Sequence, residues 1–179
     1  MLTKELKITR AMEIEGWMSE PELFKLAEIA SEHKIIVEIG CYKGRSTRVF
    51  GDNTSGIVFA LDTWKGPLDA SGKLLSDEES KNLLTEFRNN LSDLLGTAKV
   101  VLGNAYPEYS GFADCVFIDG DHSYEAVKKD IQTYLPKILK GGLLCGHDSS
   151  APGVTQAVSE LIPPLQIFPN TSIWYHSID

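Results

Sequence analysis

From residue 35 onward the chain alternates short, β-branched apolar runs with stretches whose apolar residues recur at helical spacing. Ile35-Ile36-Val37, Ile57-Val58-Phe59-Ala60-Leu61 and the runs 99–102, 114–118 and 143–146 read as buried strands. Ahead of them, Ser19-Glu20-Pro21-Glu22 has capping-box spacing with proline in the first turn, and Leu23, Leu26, Ala27 and Ala30 follow on one helical face. A second box, Ser76-Asp77-Glu78-Glu79, opens a helix that carries Leu83, Leu84, Phe87, Leu91, Leu94 and Leu95 as far as Gly96. After the fourth strand, Tyr124, Val127, Ile131, Leu135 and Ile138 mark the core face of another helix, and Gly141-Gly142 turns the chain into the fifth strand. A last helix over 154–162 stops at Pro163-Pro164, and two closing strands, 165–168 and 173–176, flank the Pro169-Asn170 turn. Strands alternating with helices predict an α/β protein with a mostly parallel, seven-stranded sheet and an antiparallel C-terminal hairpin.

The strands end unusually. Val116-Phe117-Ile118 runs directly into Asp119-Gly120-Asp121-His122, Ile35-Ile36-Val37 into Glu38, Phe59-Ala60-Leu61 into Asp62, and Leu143-Leu144-Cys145-Gly146 into His147-Asp148. In open α/β sheets the ligand crevice lies at the carboxyl ends of the strands, so these acids are candidates for chemistry. At 179 residues the chain suits one domain, with residues 1–33 as an N-terminal helical segment and 34–179 as the core. A net charge of -8 argues against a nucleic-acid partner. No apolar stretch approaches the roughly 20 residues of a membrane span, and the start is no signal peptide, so a cytoplasmic location is expected. Cys41, Cys115 and Cys145 have no paired spacing and read as buried free thiols.

Between the first strand and the next helix lies Glu38-Ile39-Gly40-Cys41-Tyr42-Lys43-Gly44-Arg45-Ser46. Its glycines permit tight bending, but Tyr42 stands where a dinucleotide loop needs its middle glycine. Asp62, closing the second strand, is placed to accept hydrogen bonds from ribose hydroxyls. A nucleoside without pyrophosphate satisfies both features. Together with Asp62-Thr63-Trp64, Gly103-Asn104-Ala105 and Phe117-Ile118-Asp119-Gly120-Asp121-His122-Ser123-Tyr124, this loop resembles the class I S-adenosylmethionine-dependent methyltransferases, within them the small group of macrocin-type sugar O-methyltransferases and cephalosporin-hydroxylase-like proteins.

The resemblance implies a Rossmann-like α/β/α sandwich that methylates a hydroxyl oxygen of a small saccharide-like or natural-product-like acceptor. Glu38, Gly40, Tyr42 and Ser46 would surround the methionine part of the cofactor, Asp62 would hold the ribose, Gly44 and Asp119 would add cofactor contacts, and Trp64 with Asn104-Ala105 would flank the adenine. It also implies a magnesium ion held by Asp119 and Asp148; His147 stands where the family has another acid, and an imidazole favours a softer divalent ion. Asp121 would be the general base, with His122 as the alternative. Asp121 and Ser123 also suit a helix cap. Two other readings stand beside this one: an adenosylmethionine-binding protein without transfer activity, and an NAD-dependent oxidoreductase that Tyr42 disfavours. Lys128 and Lys129 read as a solvated helix face, Trp17 as a packing anchor or a border of the acceptor pocket, and Trp174 as core. The oligomeric state is left open, a homo-oligomer included.

Overall fold

Strand β1 (Ile35–Ile39) lies between β2 (Ile57–Leu61) and β4 (Ala113–Ile118), parallel to both. In this computed structural model, which describes residues 5–66, 73–97, 99–103 and 112–179, the sheet has the order β3-β2-β1-β4-β5-β7-β6. Strands β3 (Val100–Gly103) and β5 (Ile138–Gly146) extend the parallel set; β7 (Trp174–Ser177) and β6 (Gln166–Ile167) pair antiparallel at one edge. Strand order reverses between β1 and β4, and such a switch point opens a crevice at the strands' carboxyl ends.

Side chains alternate across each strand, and the two sets build two cores. Ile36, Val58, Cys115 and Phe117 pack against helices α2 (Glu20–Glu32), α3 (Arg45–Asn53) and α4 (Asp77–Asn90) through Leu23, Leu26, Phe50 and Phe87. Val37, Ile39, Val116, Ile118 and Leu144 face α6 (Tyr124–Tyr134) and α7 (Pro152–Leu161) through Val127, Ile131, Val154 and Val158. Helices therefore cover both faces, giving the expected α/β/α sandwich. Burial of these apolar side chains is the main stabilising contribution.

The predicted helices begin where their capping boxes lie, at Ser19 and Ser76. Predicted boundaries shift most in two regions. The helix expected to run to Gly96 breaks at Leu91 into α4 and α5 (Ser92–Gly96), because Asn89-Asn90 are weak helix formers and the Asn90 amide instead donates to the Lys43 carbonyl at 2.9 Å. Ile138, predicted on the face of α6, opens β5 instead: α6 ends at Tyr134 and Pro136 sits in a 3₁₀ turn (Leu135–Lys137), since its ring cannot continue a helix. Gly141-Gly142 lies within β5 rather than before it, beside a register irregularity between Ala113 and Cys115.

A short helix, α1 (Thr9–Met12), and the chain after it are fastened to α3. Lys7 and Asn53 exchange hydrogen bonds of 2.8 Å, and the Arg45 guanidinium donates to the Ile14 carbonyl at 2.9 Å. Arg48, fully buried, joins α3 to α5 through Asp93 at 2.7 Å and closes an intrahelical pair with Asp52 at 2.8 Å. The three cysteines are buried and free, as expected. No helix among the described residues is long and apolar enough to cross a membrane.

Candidate active site

The β1 ladder continues past its strand and sets the floor of the crevice. Asp119 N–H donates to the Ile39 carbonyl at 2.8 Å, bringing the end of β4 against Gly40. A Cβ on Gly40 would lie 2.2 Å from the Asp119 carbonyl oxygen, and its φ of +85° also demands glycine. Tyr42 and Gly44 share the left-handed region, with φ of 47° and 90°, so the loop curls tightly before α3 starts.

Asp62 holds that curl in place. Its Oδ2 accepts from Cys41 N–H at 2.7 Å and Tyr42 N–H at 3.0 Å, while Oδ1 accepts from Trp64 N–H at 2.7 Å. Gly40 N–H donates to the Leu61 carbonyl and Gly44 N–H to that of Cys41. The amides of Gly40, Cys41, Tyr42 and Gly44 are therefore already engaged within the protein. A carboxylate oxygen has two lone pairs, so Oδ1 retains acceptor capacity toward the crevice.

Glu38 projects to the α3 face of the sheet and is fully buried. Its oxygens accept from the hydroxyls of Ser46 and Thr47, in the first turn of α3. Burial pushes its carboxyl up to about 8 against those hydrogen bonds, with the charges of Asp119 and Asp62 adding to the rise. Glu38 thus supports the loop from beneath rather than lining the crevice. Trp64 likewise turns its ring onto Phe87, with centroids 5.0 Å apart, and Gly44 packs on Phe87 and Leu91. Asn104 and Ala105 lie outside the described residues.

A cleft of about 870 Å³ opens above this floor. Gly40, Tyr42, Ser46 and Asp62 line one part of it, and Asp119, Asp121, His122, His147 and Asp148 another. Trp17, 73% exposed, lies against Tyr42 at 4.8 Å between centroids and forms part of the rim, not a packing anchor. Glu15 fixes this rim to the loop, accepting from Lys43 at 2.7 Å and from the Tyr42 hydroxyl at 3.3 Å. Lys129, expected on a solvated face, also borders the cleft.

Asp119, His122 and Asp148 place one ligand atom each within 4.8 Å of one another, a grouping able to hold a metal ion. His122 Nε2 is 3.2 Å from Asp148 Oδ2 and 3.7 Å from Asp119 Oδ1; Asp119, then Asp148, raise its pKa above the ordinary imidazole value. His147 is differently occupied. Its Nδ1–H donates to Asp148 Oδ2 at 3.1 Å and its Nε2–H faces Glu22 Oε1 at 3.1 Å and Ser172 Oγ at 2.9 Å. Burial opposes its charge, yet the Asp148 hydrogen bond and the charges of Asp119 and Glu22 carry its pKa up to about 9. The sequence points to His147 as the imidazole ligand; the structure brings both imidazoles to the acids, His147 Nδ1 lying 3.1 Å from Asp148 Oδ2 and 3.7 Å from Asp119 Oδ1, while the grouping able to hold an ion forms with His122. Asp121 is exposed at the cleft and accepts from Ser123 N–H at 2.8 Å, beside the Ser123 cap of α6.

The switch-point crevice and its tightly curled glycine loop define a Rossmann-like fold. The chain belongs to the methyltransferase-domain family, which it matches over residues 37–149. It is a class I S-adenosylmethionine-dependent methyltransferase, the class its motifs resemble. Among solved structures it is similar to an O-methyltransferase from Bacillus cereus in complex with S-adenosylhomocysteine (13% identity, 99% of this chain and 93% of that chain, TM-score 0.66). It is similar also to the calicheamicin methyltransferase CalS11 (18% identity, 88% and 76%, TM-score 0.62) and to the O-methyltransferase NovP (18% identity, 88% and 79%, TM-score 0.60). At these identities the likeness is one of fold. No curated protein sequence matches the chain significantly.

Proposed function

We propose that this chain transfers the methyl group of S-adenosylmethionine to a hydroxyl oxygen of a small-molecule acceptor, with Asp121 as general base and a divalent cation at Asp119, His122 and Asp148. The observation that carries the cofactor reading is the Asp62 carboxylate bound to the Cys41 and Tyr42 amides. It occupies two loop amides that a phosphate would need and sets a carboxylate at the cleft, which suits the ribose of a cationic nucleoside better than a pyrophosphate. Tyr42 and Trp17 add aromatic faces, which also attract a cation. B. cereus O-methyltransferase and TomG, two structural neighbours, are described in complex with S-adenosylhomocysteine and S-adenosylmethionine respectively, which supports the same cofactor here.

Methyl transfer is an in-line displacement: the acceptor oxygen forms the new bond to carbon as the sulfur–carbon bond breaks, leaving a neutral thioether. Positioning the two reactants supplies much of the rate. Asp121 takes the acceptor's hydroxyl proton; it is exposed at the cleft, and among the described residues only its Oδ1 is engaged, by Ser123 N–H, so the second oxygen faces that role. The candidate donor set is two carboxylates and one imidazole, which fits manganese, less strict than magnesium about geometry and tolerant of one nitrogen, or a borderline ion such as zinc, better than magnesium with its preferred all-oxygen shell. Such an ion, when bound, lowers the acceptor hydroxyl's pKa.

The test is transfer of radiolabelled methyl from S-adenosylmethionine to a panel of phenolic and saccharide acceptors, with and without manganese. Turnover is expected for the wild type and a loss of about a hundred-fold or more in kcat for Asp121→Asn. Cofactor binding without methylation of any acceptor would favour a binding protein, and unchanged turnover in Asp121→Asn would remove Asp121 from the mechanism.

A further inference from the structure

Glu22 and Ser172 lie outside the span matched by the family, yet both contact His147, the ring that bonds Asp148 of the candidate cation site. Glu22 is held on every side. Its Oε2 accepts from the Ser19 amide at 2.8 Å and the Ser19 hydroxyl at 2.7 Å; its Oε1 accepts from the Ser172 amide at 2.9 Å and hydroxyl at 2.6 Å. At 7% exposure it is buried, and the His147 ring docks against it. The His147 main-chain carbonyl is fixed in turn by the Trp174 indole N–H at 3.1 Å. The start of α2, the loop before β7 and the end of β5 thus meet on one imidazole.

That imidazole's other nitrogen donates to Asp148 Oδ2. Asp148 has a backbone φ of 55°, in the left-handed region, and its side chain is 36% exposed. A non-glycine residue in that region persists where its surroundings fix it, and a half-exposed carboxylate left to itself rotates toward water. We infer that Glu22 is a positioning residue for the cation site: acting through the His147 ring, it fixes the Asp148 carboxylate toward Asp119 and His122. The inference rests on the cation reading above. It assigns to the N-terminal helix and the C-terminal hairpin a shared role in metal affinity, as outer groups that orient ligands do elsewhere.

The competing role for Glu22 is purely that of a helix cap, and Glu22→Gln separates the two. Glutamine serves the N3 position of a capping box as glutamate does, so α2 keeps its start while the carboxylate facing His147 is lost. Manganese is titrated into the full chain, with binding followed by the electron paramagnetic resonance of the free ion, and S-adenosylmethionine affinity is measured in parallel by calorimetry. Glu22→Gln is expected to weaken manganese binding about ten-fold or more while leaving S-adenosylmethionine affinity within about two-fold. Ser172→Ala, a smaller change, is expected to shift manganese affinity in the same direction; it gives the answer if Glu22→Gln fails to fold. The double variant Glu22→Gln/His147→Gln should bind manganese no more weakly than the worse single variant, because both act along one chain of contacts. Manganese affinity equal to wild type in Glu22→Gln, or in Ser172→Ala where it replaces it, overturns the inference while leaving the cation reading intact. A wild type that binds no manganese removes the cation reading, and the inference with it.

Discussion

Single carboxylates at the strand ends have been put to different uses, and burial decides which. Glu38 and Asp62 both close strands beside the glycine loop, but Glu38 is sealed under α3 and Asp62 stands at the cleft. Burial raises Glu38 from its ordinary 4.5 to about 8, so between those values the folded chain binds a proton that the unfolded chain releases. The sign is then fixed: this group's contribution to stability falls as pH rises from about 4.5 to 8. Glu38→Gln, which cannot ionise, is expected to show a smaller drop in Tm between pH 5 and pH 8 than wild type, read by thermal unfolding across buffers; parallel pH profiles would show that Glu38 is not the titrating group. Asp62, Asp119 and Asp148 were legible as site candidates because an apolar run ending in an acid is local in the sequence. That Glu38 would turn inward was not, since its two hydroxyl partners declare themselves only once α3 lies across the end of β1. Trp64 shows the same limit: an aromatic residue after a strand reads equally as ligand platform or as core, and here Phe87 takes it.

At the scale of elements, the approach of β1 to β4 sets how close the loop and Asp119 can come. Gly40 is where they touch. Gly40→Ala adds a Cβ 2.2 Å from the Asp119 carbonyl and places a side chain at a φ of +85°. The expected cost is about 3 kcal/mol from strain and overpacking together, measured by denaturant unfolding, and a loss below about 1 kcal/mol would mean that the loop is free to move away. Element existence followed from periodicity and capping boxes, and both boxes mark true helix starts. Boundaries failed where a local breaker overruled the apolar stripe, at Asn90 and at Pro136. The contact between Glu22 and His147 spans 125 positions, and no short-range pattern announces it. Ser19-x-x-Glu22 was visible as a cap, and its second set of contacts, with Ser172 and His147, exists only because the C-terminal hairpin closes over it.

For the whole molecule, a parallel sheet with one order reversal, helices on both faces and an antiparallel edge pair delivers the ends of β1, β2, β4 and β5 to one side. The strand-terminal acids therefore converge although they are dispersed over more than a hundred positions of sequence. The N-terminal segment completes the enclosure, with Glu15 pinned to Lys43 and Trp17 set against Tyr42. Whether this enclosure takes a sulfonium nucleoside is the claim on which the rest depends. Calorimetric titration of the purified chain with S-adenosylmethionine, beside an identical titration with NAD, tests it most directly. Saturable one-to-one binding of S-adenosylmethionine and none of NAD is the predicted result; binding of NAD alone, or of neither by folded protein, contradicts it.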